Sequence, residues 1–309
     1  MCGIAGIIYS DGSRDVGRDM TRMLQSMKHR GPDSTGYALF GPHQHDLVMR
    51  YTLADANDPR DYDFHDRIRR NRFLVEQRLA KAGAHIHDVE EETDYAYRVT
   101  FGFRGDVKEL TDLVEDIPGA EVLSLGHSLE IVKDLGDAET VANQYDLGHF
   151  QGTHAIGHVR MATESEVDIS GAHPYWAYPF NDVAVVHNGQ LTNYFQWKRR
   201  LERSGHRFQS ECDSEIIAVY LAEKMSEGAS LEDAMRDSLE ELDGVFTYIA
   251  VTEDALGVAK DEMAAKPLVL YEADDIVALA SEEIAIRAVV DHEIETWDPY
   301  EGEVMVWQR

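Results

Sequence analysis

The chain opens Met1-Cys2-Gly3-Ile4-Ala5-Gly6-Ile7-Ile8-Tyr9-Ser10. Ile4–Tyr9 is a short, apolar, β-branched run and reads as a buried strand that begins almost at residue 1. Asp11-Gly12 then marks a turn. The same stretch puts a thiol directly after the initiator Met. A small side chain at position 2 permits removal of Met1, leaving thiol and free α-amine on one residue. An α-amine titrates near roughly 7.7–8.0, so part of it is neutral at physiological pH and can take the thiol proton. Such a residue carries its own general base. A free Cys is also often a small buried packing residue, so Cys2 alone does not decide the matter.

Outward from this strand, Val16, Met20, Met23, Leu24 and Met27 recur at helical spacing. His29–Gly36 is dense in turn residues, and Tyr37–Phe40 reads as the next strand. Residues 41–150 differ in texture. They predict a helix over 66–82, a strand over 95–103, a helix over 107–114 and a strand over 121–125. This block has the makings of a small α+β subdomain of its own, inserted at about 51–140. From His154 strands return, at 155–159 and 182–187. Helices are predicted over 193–204, 213–225 and 231–242. Four strand-like runs follow between 246 and 281, then a short helix at 282–290 and a closing strand at 303–308. The outline is an α+β chain. Sheet-on-sheet packing with helices outside suits it better than a parallel doubly wound fold.

Composition excludes several functions. Against 58 Asp plus Glu stand 29 Lys plus Arg, a formal charge of −29. Such a surface repels nucleic-acid backbones and anionic membranes. With 2 cysteines, neither a disulfide framework nor a Cys-rich metal site is expected. The N-terminus lacks the basic leader and long apolar run of a secretory signal, and no run is long enough for a membrane span. The expectation is a cytoplasmic protein. His85 and His87 alternate on one strand face, but no third metal ligand is evident.

Three further segments carry chemistry. Arg160 follows a predicted strand in Gly157-His158-Val159-Arg160-Met161-Ala162-Thr163, where a guanidinium can clamp a carboxylate. His187-Asn188-Gly189-Gln190 follows another strand. An Asn-Gly pair there is either a hairpin turn or a pair of donors for a developing oxyanion. Asp213 opens a predicted helix, as an N-cap or as a partner for an ammonium. A carboxylate binder, an ammonium binder, a thiol and an oxyanion device suit an α-amino acid with a reactive side-chain carbonyl. Glutamine and asparagine are such ligands.

At this point the chain resembles the class II glutamine amidotransferases, which use an N-terminal nucleophile. The resemblance rests on Met1–Gly6, His29–Ser34, Gly157–Thr163, Ala172-His173-Pro174, His187–Gly189 and Cys212–Glu215, in order. Ala259-Lys260-Asp261, Lys266–Leu270 and Ala280–Glu283 extend it. It implies a four-layer αββα N-terminal nucleophile hydrolase fold over residues 1–309, and glutamine hydrolysis. By position, Cys2 would be the nucleophile, and Asn188 and Gly189 the oxyanion hole. Arg160 would hold the α-carboxylate and Asp213 the α-ammonium. Thr163 and His173 would line the pocket, and Arg30 would belong to a loop that closes over glutamine. His158 and His187 are expected to support Arg160 and Asn188.

The chain departs from commoner members at Met161, where an aromatic residue is usual, and at Glu164-Ser165. Those details are similar to the stand-alone amidotransferase subunits of glutamate synthase-like and N-methylglutamate synthase-like systems. Ammonia would then pass to a synthase subunit in a hetero-oligomer. No cofactor is expected in this chain, with flavin and iron–sulfur groups confined to the partner. Two other readings stay open. One is a stand-alone hydrolase of another γ-glutamyl amide, and the other a non-catalytic regulatory or assembly subunit.

Overall fold

A computed structural model describes residues 2–161, 169–178, 180 and 182–309. In chain order the elements are β1 (Gly3–Tyr9), α1 (Val16–Ser26), β2 (Ser34–Phe40), β3 (Leu47–Thr52), α2 (Phe64–Lys81), β4 (His85–Glu91), β5 (Ala96–Gly102), α3 (Val107–Glu115), β6 (Glu121–Gly126) and β7 (Leu129–Leu135). They continue as α4 (Ala138–Gln144), β8 (His154–Arg160), β9 (Tyr175–Trp176), β10 (Ala184–Leu191), α5 (Tyr194–Arg203), α6 (Asp213–Ser226) and α7 (Leu231–Glu241). The chain closes with β11 (Gly244–Val251), β12 (Ala255–Lys260), β13 (Val269–Glu272), β14 (Ile276–Ala280), α8 (Glu283–Arg287) and β15 (Val304–Gln308).

Two antiparallel sheets form the body. One has the order β13-β14-β1-β8-β2-β7 and the other β15-β12-β11-β10-β9. Side chains alternate along each strand, and the alternation fixes the layers. Ala184, Val186, Ile249, Val251, Leu256 and Val258 pack into one core with the first sheet. Their neighbours Val185, Tyr248, Ala250 and Ala259 pack instead with α6 and α7. On the first sheet, a Cβ at Gly157 would meet Leu24 of α1, whereas one at Gly6 would meet Leu256 and Ile249 of the facing sheet. Helices thus cover the outer face of each sheet. This is the four-layer αββα arrangement, of mixed α/β class.

The inserted block is a βαββαβ module. Its sheet runs β4-β5-β3-β6, with α2 and α3 packed together. The elements span 47–126, whereas the sequence places the block at about 51–140. β7 leaves the module and pairs with β2, from Ser34–Leu135 to Phe40–Leu129. Ser34-Thr35-Gly36 is likewise strand, paired with β7 on one side and β8 on the other, although its turn chemistry reads as loop.

The module shares an apolar core with the body and adds buried charge at the junction. Glu130 on β7 accepts Arg50 Nε at 2.8 Å and Arg98 Nε at 2.8 Å. The side chains of Arg50 and Glu130 are 5% and 6% exposed. Arg50 also pairs with Glu92. No helix among the described residues is long and apolar enough to cross a membrane.

Removing one partner of a buried pair strands the other. Glu130→Ala should therefore lower unfolding stability by about 3–5 kcal/mol in a urea titration. Replacing Arg50 and Glu130 together with apolar residues should cost less than that.

Candidate active site

Cys2 lies just ahead of β1, which sits between β14 and β8. Its carbonyl is gripped from two distant segments. The Cys2 carbonyl accepts Arg30 Nε at 3.0 Å and the Asn188 side-chain amide at 3.3 Å. Arg30 in turn donates to Glu282 at 2.6 Å, and His29 faces the same carboxylate at 3.0 Å. Partial burial works against the Glu282 charge, yet Arg30 and His29 hold its carboxyl below the usual range. One residue on, the Ile4 N–H donates to Ser281 Oγ at 3.0 Å, and the Ser281 N–H to the Ile4 carbonyl at 2.9 Å.

Beside Cys2 opens a cavity of about 840 Å³, lined by Arg160, His173, Asn188, Gly189 and Asp213 among others. Strand alternation explains the convergence. Even-numbered residues of β8 and β10 face the gap between sheets: His154 reaches Thr252 of the opposite sheet, and Asn188 reaches Cys2. Arg160 shares the parity of His154 and His158. Its main chain is held by the Asp33 N–H, which donates to the Arg160 carbonyl at 3.1 Å. Only Gly fits at 31, because a Cβ there would stand 2.4 Å from the Arg160 carbonyl carbon.

Asn188-Gly189 is not a hairpin turn. The pair lies within β10, opposite Thr247 and Phe246 of β11. Gly189 has φ +146°, and a Cβ on it would sit 2.2 Å from the Val245 carbonyl oxygen. Asp213 is the first residue of α6 rather than its cap, which is Cys212. One Asp213 oxygen accepts the Leu191 N–H at 2.7 Å, and the other lies 3.6 Å from His187 Nδ1. Burial opposes the charge on Asp213, but His187 and the Leu191 N–H hold its carboxyl below the ordinary value. The positive end of α6 acts in the same direction.

A stack of imidazoles backs this wall. His158 and His173 stack with centroids 4.1 Å apart. His173 Nδ1 accepts the His187 N–H at 3.3 Å, so a neutral ring carries its proton on Nε2 and donates to Ser214 Oγ at 3.1 Å. The Ser214 hydroxyl is then available to His187 Nδ1 at 2.8 Å. Burial pushes His158 down to about 3 and His173 well below its usual value. Burial, then the Asp213 charge, pushes the Cys212 thiol up. The second cysteine is therefore held in its thiol form.

Cys2, Asn188, Gly189, Arg160, His173 and Asp213 thus border one cavity. Arg30 is committed to the Cys2 carbonyl and Glu282. Thr163 and Glu164-Ser165 lie outside the described residues. Lys266, from the Lys266–Leu270 stretch, also lines the cavity, as do Gln209, Ser210 and Glu211, which follow no motif although they directly precede Cys212-Asp213. The wall offers a thiol, a guanidinium, a carboxylate and amide donors. That set matches a zwitterion with a polarised carbonyl.

Imidazole nitrogen NMR should find His158 and His173 neutral at pH 5.5. His158 would titrate near 6.5 when unfolded and falls to about 3 in the fold. Its contribution to stability is therefore lost as pH drops from 6.5 toward 3. Gly189→Ala should cost about 1–3 kcal/mol in denaturant unfolding, the scale of a strained backbone position.

Comparison with known proteins gives this wall a family. Residues 158–288 match the glutamine amidotransferase domain. A Methanothermobacter thermautotrophicus protein of the glutamine amidotransferase family is 40% identical over 313 residues, spanning 100% of both chains. The glutamine amidotransferase-like protein GlxB of Rhizobium meliloti is 34% identical, over 100% of this chain and 99% of that one. In structure, the glutamine phosphoribosylpyrophosphate amidotransferase of B. subtilis superposes with a TM-score of 0.61 at 21% identity, over 99% of this chain and 47% of that one. This chain spans about half the length of that enzyme, and the likeness is one of fold. Matched from end to end by relatives at this identity, the chain belongs to the glutamine amidotransferases.

Proposed function

We propose that the chain hydrolyses glutamine through a thioester on Cys2 and passes the ammonia to a synthase subunit. What supports this reading most is the setting of Cys2. Its carbonyl is fixed by Arg30 and Asn188 at the edge of a cavity that also presents Arg160, Gly189 and Asp213.

Arg160 takes the substrate α-carboxylate and Asp213 the α-ammonium. These two charges orient the side-chain amide toward sulfur. The Cys2 sulfur attacks the amide carbon while the freed α-amine of Cys2 takes the thiol proton. Negative charge moves to the amide oxygen, where the Asn188 amide and the Gly189 N–H receive it. Collapse of this intermediate breaks the C–N bond. The α-ammonium of Cys2 returns its proton to the leaving nitrogen, and ammonia departs from a γ-glutamyl thioester. Water adds to the thioester, giving glutamate and regenerating the thiol. The depressed Asp213 keeps its negative charge throughout.

The acceptor subunit follows the glutamate synthase-like or N-methylglutamate synthase-like pattern. Relatives with a named second activity are consistent with ammonia being used outside this fold. In the M. thermautotrophicus glutamine–fructose-6-phosphate aminotransferase, the match is 34% identical over 164 residues and covers 27% of that protein.

Intact mass spectrometry should find Met1 removed. Purified protein, with its copurifying partner where one is present, should release glutamate and ammonia from glutamine, and Cys2→Ala should abolish both products. Retained Met1, or activity that survives Cys2→Ala, would rule out this mechanism. Asn188→Ala should lower kcat by roughly 100- to 1,000-fold, the cost of one oxyanion donor.

A further inference from the structure

We propose that the inserted βαββαβ module completes the glutamine pocket, with Glu115 as the positioning residue that holds the wall at 207–212. The proposal rests on reading the cavity as the glutamine site.

The segment between α5 and α6 contributes Gln209, Ser210, Glu211 and Cys212 to the cavity. Its inner support is Glu215 of α6, whose carboxylate accepts the N–H of Gln209 at 2.8 Å, the N–H of Ser210 at 2.8 Å and Ser210 Oγ at 2.6 Å. Its outer support belongs to the module. Glu115, the last residue of α3, accepts the Gln209 side-chain amide and pairs with Arg207. The Val122 N–H of β6 donates to the same carboxylate at 3.0 Å. One turn earlier, Asp112 takes Arg207 at 3.1 Å and the Tyr178 hydroxyl, and the Arg207 guanidinium lies 4.9 Å from the Tyr178 ring centroid.

A second tie reaches another wall. Asp55, which follows β3, accepts the Ile169 N–H at 2.9 Å, and the adjoining Ser170 and Gly171 line the cavity. Two separate walls of one cavity therefore end on carboxylates of the insert.

The energetics point the same way. The Glu115 side chain is 8% exposed. Burying a carboxylate costs several kcal/mol unless donors surround it. Here the donors come from the cavity wall and from β6, so the burial ties one to the other. Cys2, Arg160 and Asn188 stand in or beside the two body sheets and need no such prop. Losing Glu115 should loosen the pocket while leaving the reacting groups in place. That loss falls on binding shared by ground and transition states, which raises KM and spares kcat.

The test uses the full-length protein with Glu115→Ala, Glu115→Gln and Gln209→Ala. Glu115→Ala should raise KM for glutamine roughly 5- to 20-fold with kcat within about twofold. Glu115→Gln keeps an oxygen for Val122 and Gln209 and should recover most of the loss. Gln209→Ala combined with Glu115→Ala should be less than additive, because the two share one contact. Without substrate, hydrogen exchange at 209–210 should rise at least about tenfold in Glu115→Ala while β10 and β11 stay protected. Unchanged KM, or a parallel fall in kcat and global stability, would overturn the proposal. If wild-type protein leaves glutamine intact while Glu115→Ala still frees 209–210, the substrate assignment fails and the positioning role stands.

Discussion

Everything in this molecule depends on two antiparallel sheets meeting face to face, with each strand showing the other sheet every second side chain. Cys2, Arg160 and Asn188 come from three different strands or strand ends. They share one space because all three fall on the parity that faces the gap. A one-residue slip in β8 or β10 would turn Arg160 or Asn188 outward, onto the helical layers. Such a slip in β10 would also pull Ala184 and Val186 out of the core between the sheets. The apolar core therefore enforces the register on which the polar site depends.

The module at 47–126 stands in a different physical relation to the body. Its apolar core is continuous with that of the body, and buried charge is added where the two meet. Arg50, Arg98 and Glu130 meet in a buried network, and the hydroxyls of Tyr95 and Tyr145 converge on Asp134 at 2.5 and 2.8 Å. Charged contacts of this kind are directional and tolerate little sliding. These ionic contacts help set its orientation, and with it where α3 meets the segment before α6.

How much of this was legible in the sequence depends on where each signal lies. Cys2, Arg160, Asn188, Gly189, His173 and Asp213 are carried by short local motifs, and the cavity gathers them all. Both four-layer sheets could be read, because Ile4–Tyr9, Val183–Val186 and Phe246–Thr252 are unambiguous apolar runs. β7 was hidden by Glu130, Lys133 and Asp134, charges that suggest a solvated surface yet are buried against partners in β5, β6 and β3 or their flanks. Asn188-Gly189 has the composition of a turn, but it lies within a strand because β11 supplies pairing partners that no local window contains. Glu115 and Gln209 are 94 residues apart. Each alone looks like an ordinary surface side chain, and only the docked module makes them neighbours.

The pairing of β1 with β14, and of Ile4 with Ser281, sets an order of events during synthesis. β1 is made well before β14, and one of its edges stays open until residues 276–280 have been added. At roughly 5–20 residues per second, that wait lasts between about a quarter of a minute and a minute. Through this interval the strand carries an unpaired row of N–H and C=O groups, the usual template for wrong pairing. The Arg30–Glu282 grip on Cys2 cannot form earlier either. β1 is thus locked long after it is made, and the cavity takes its final shape only once residues 276–282 are in place.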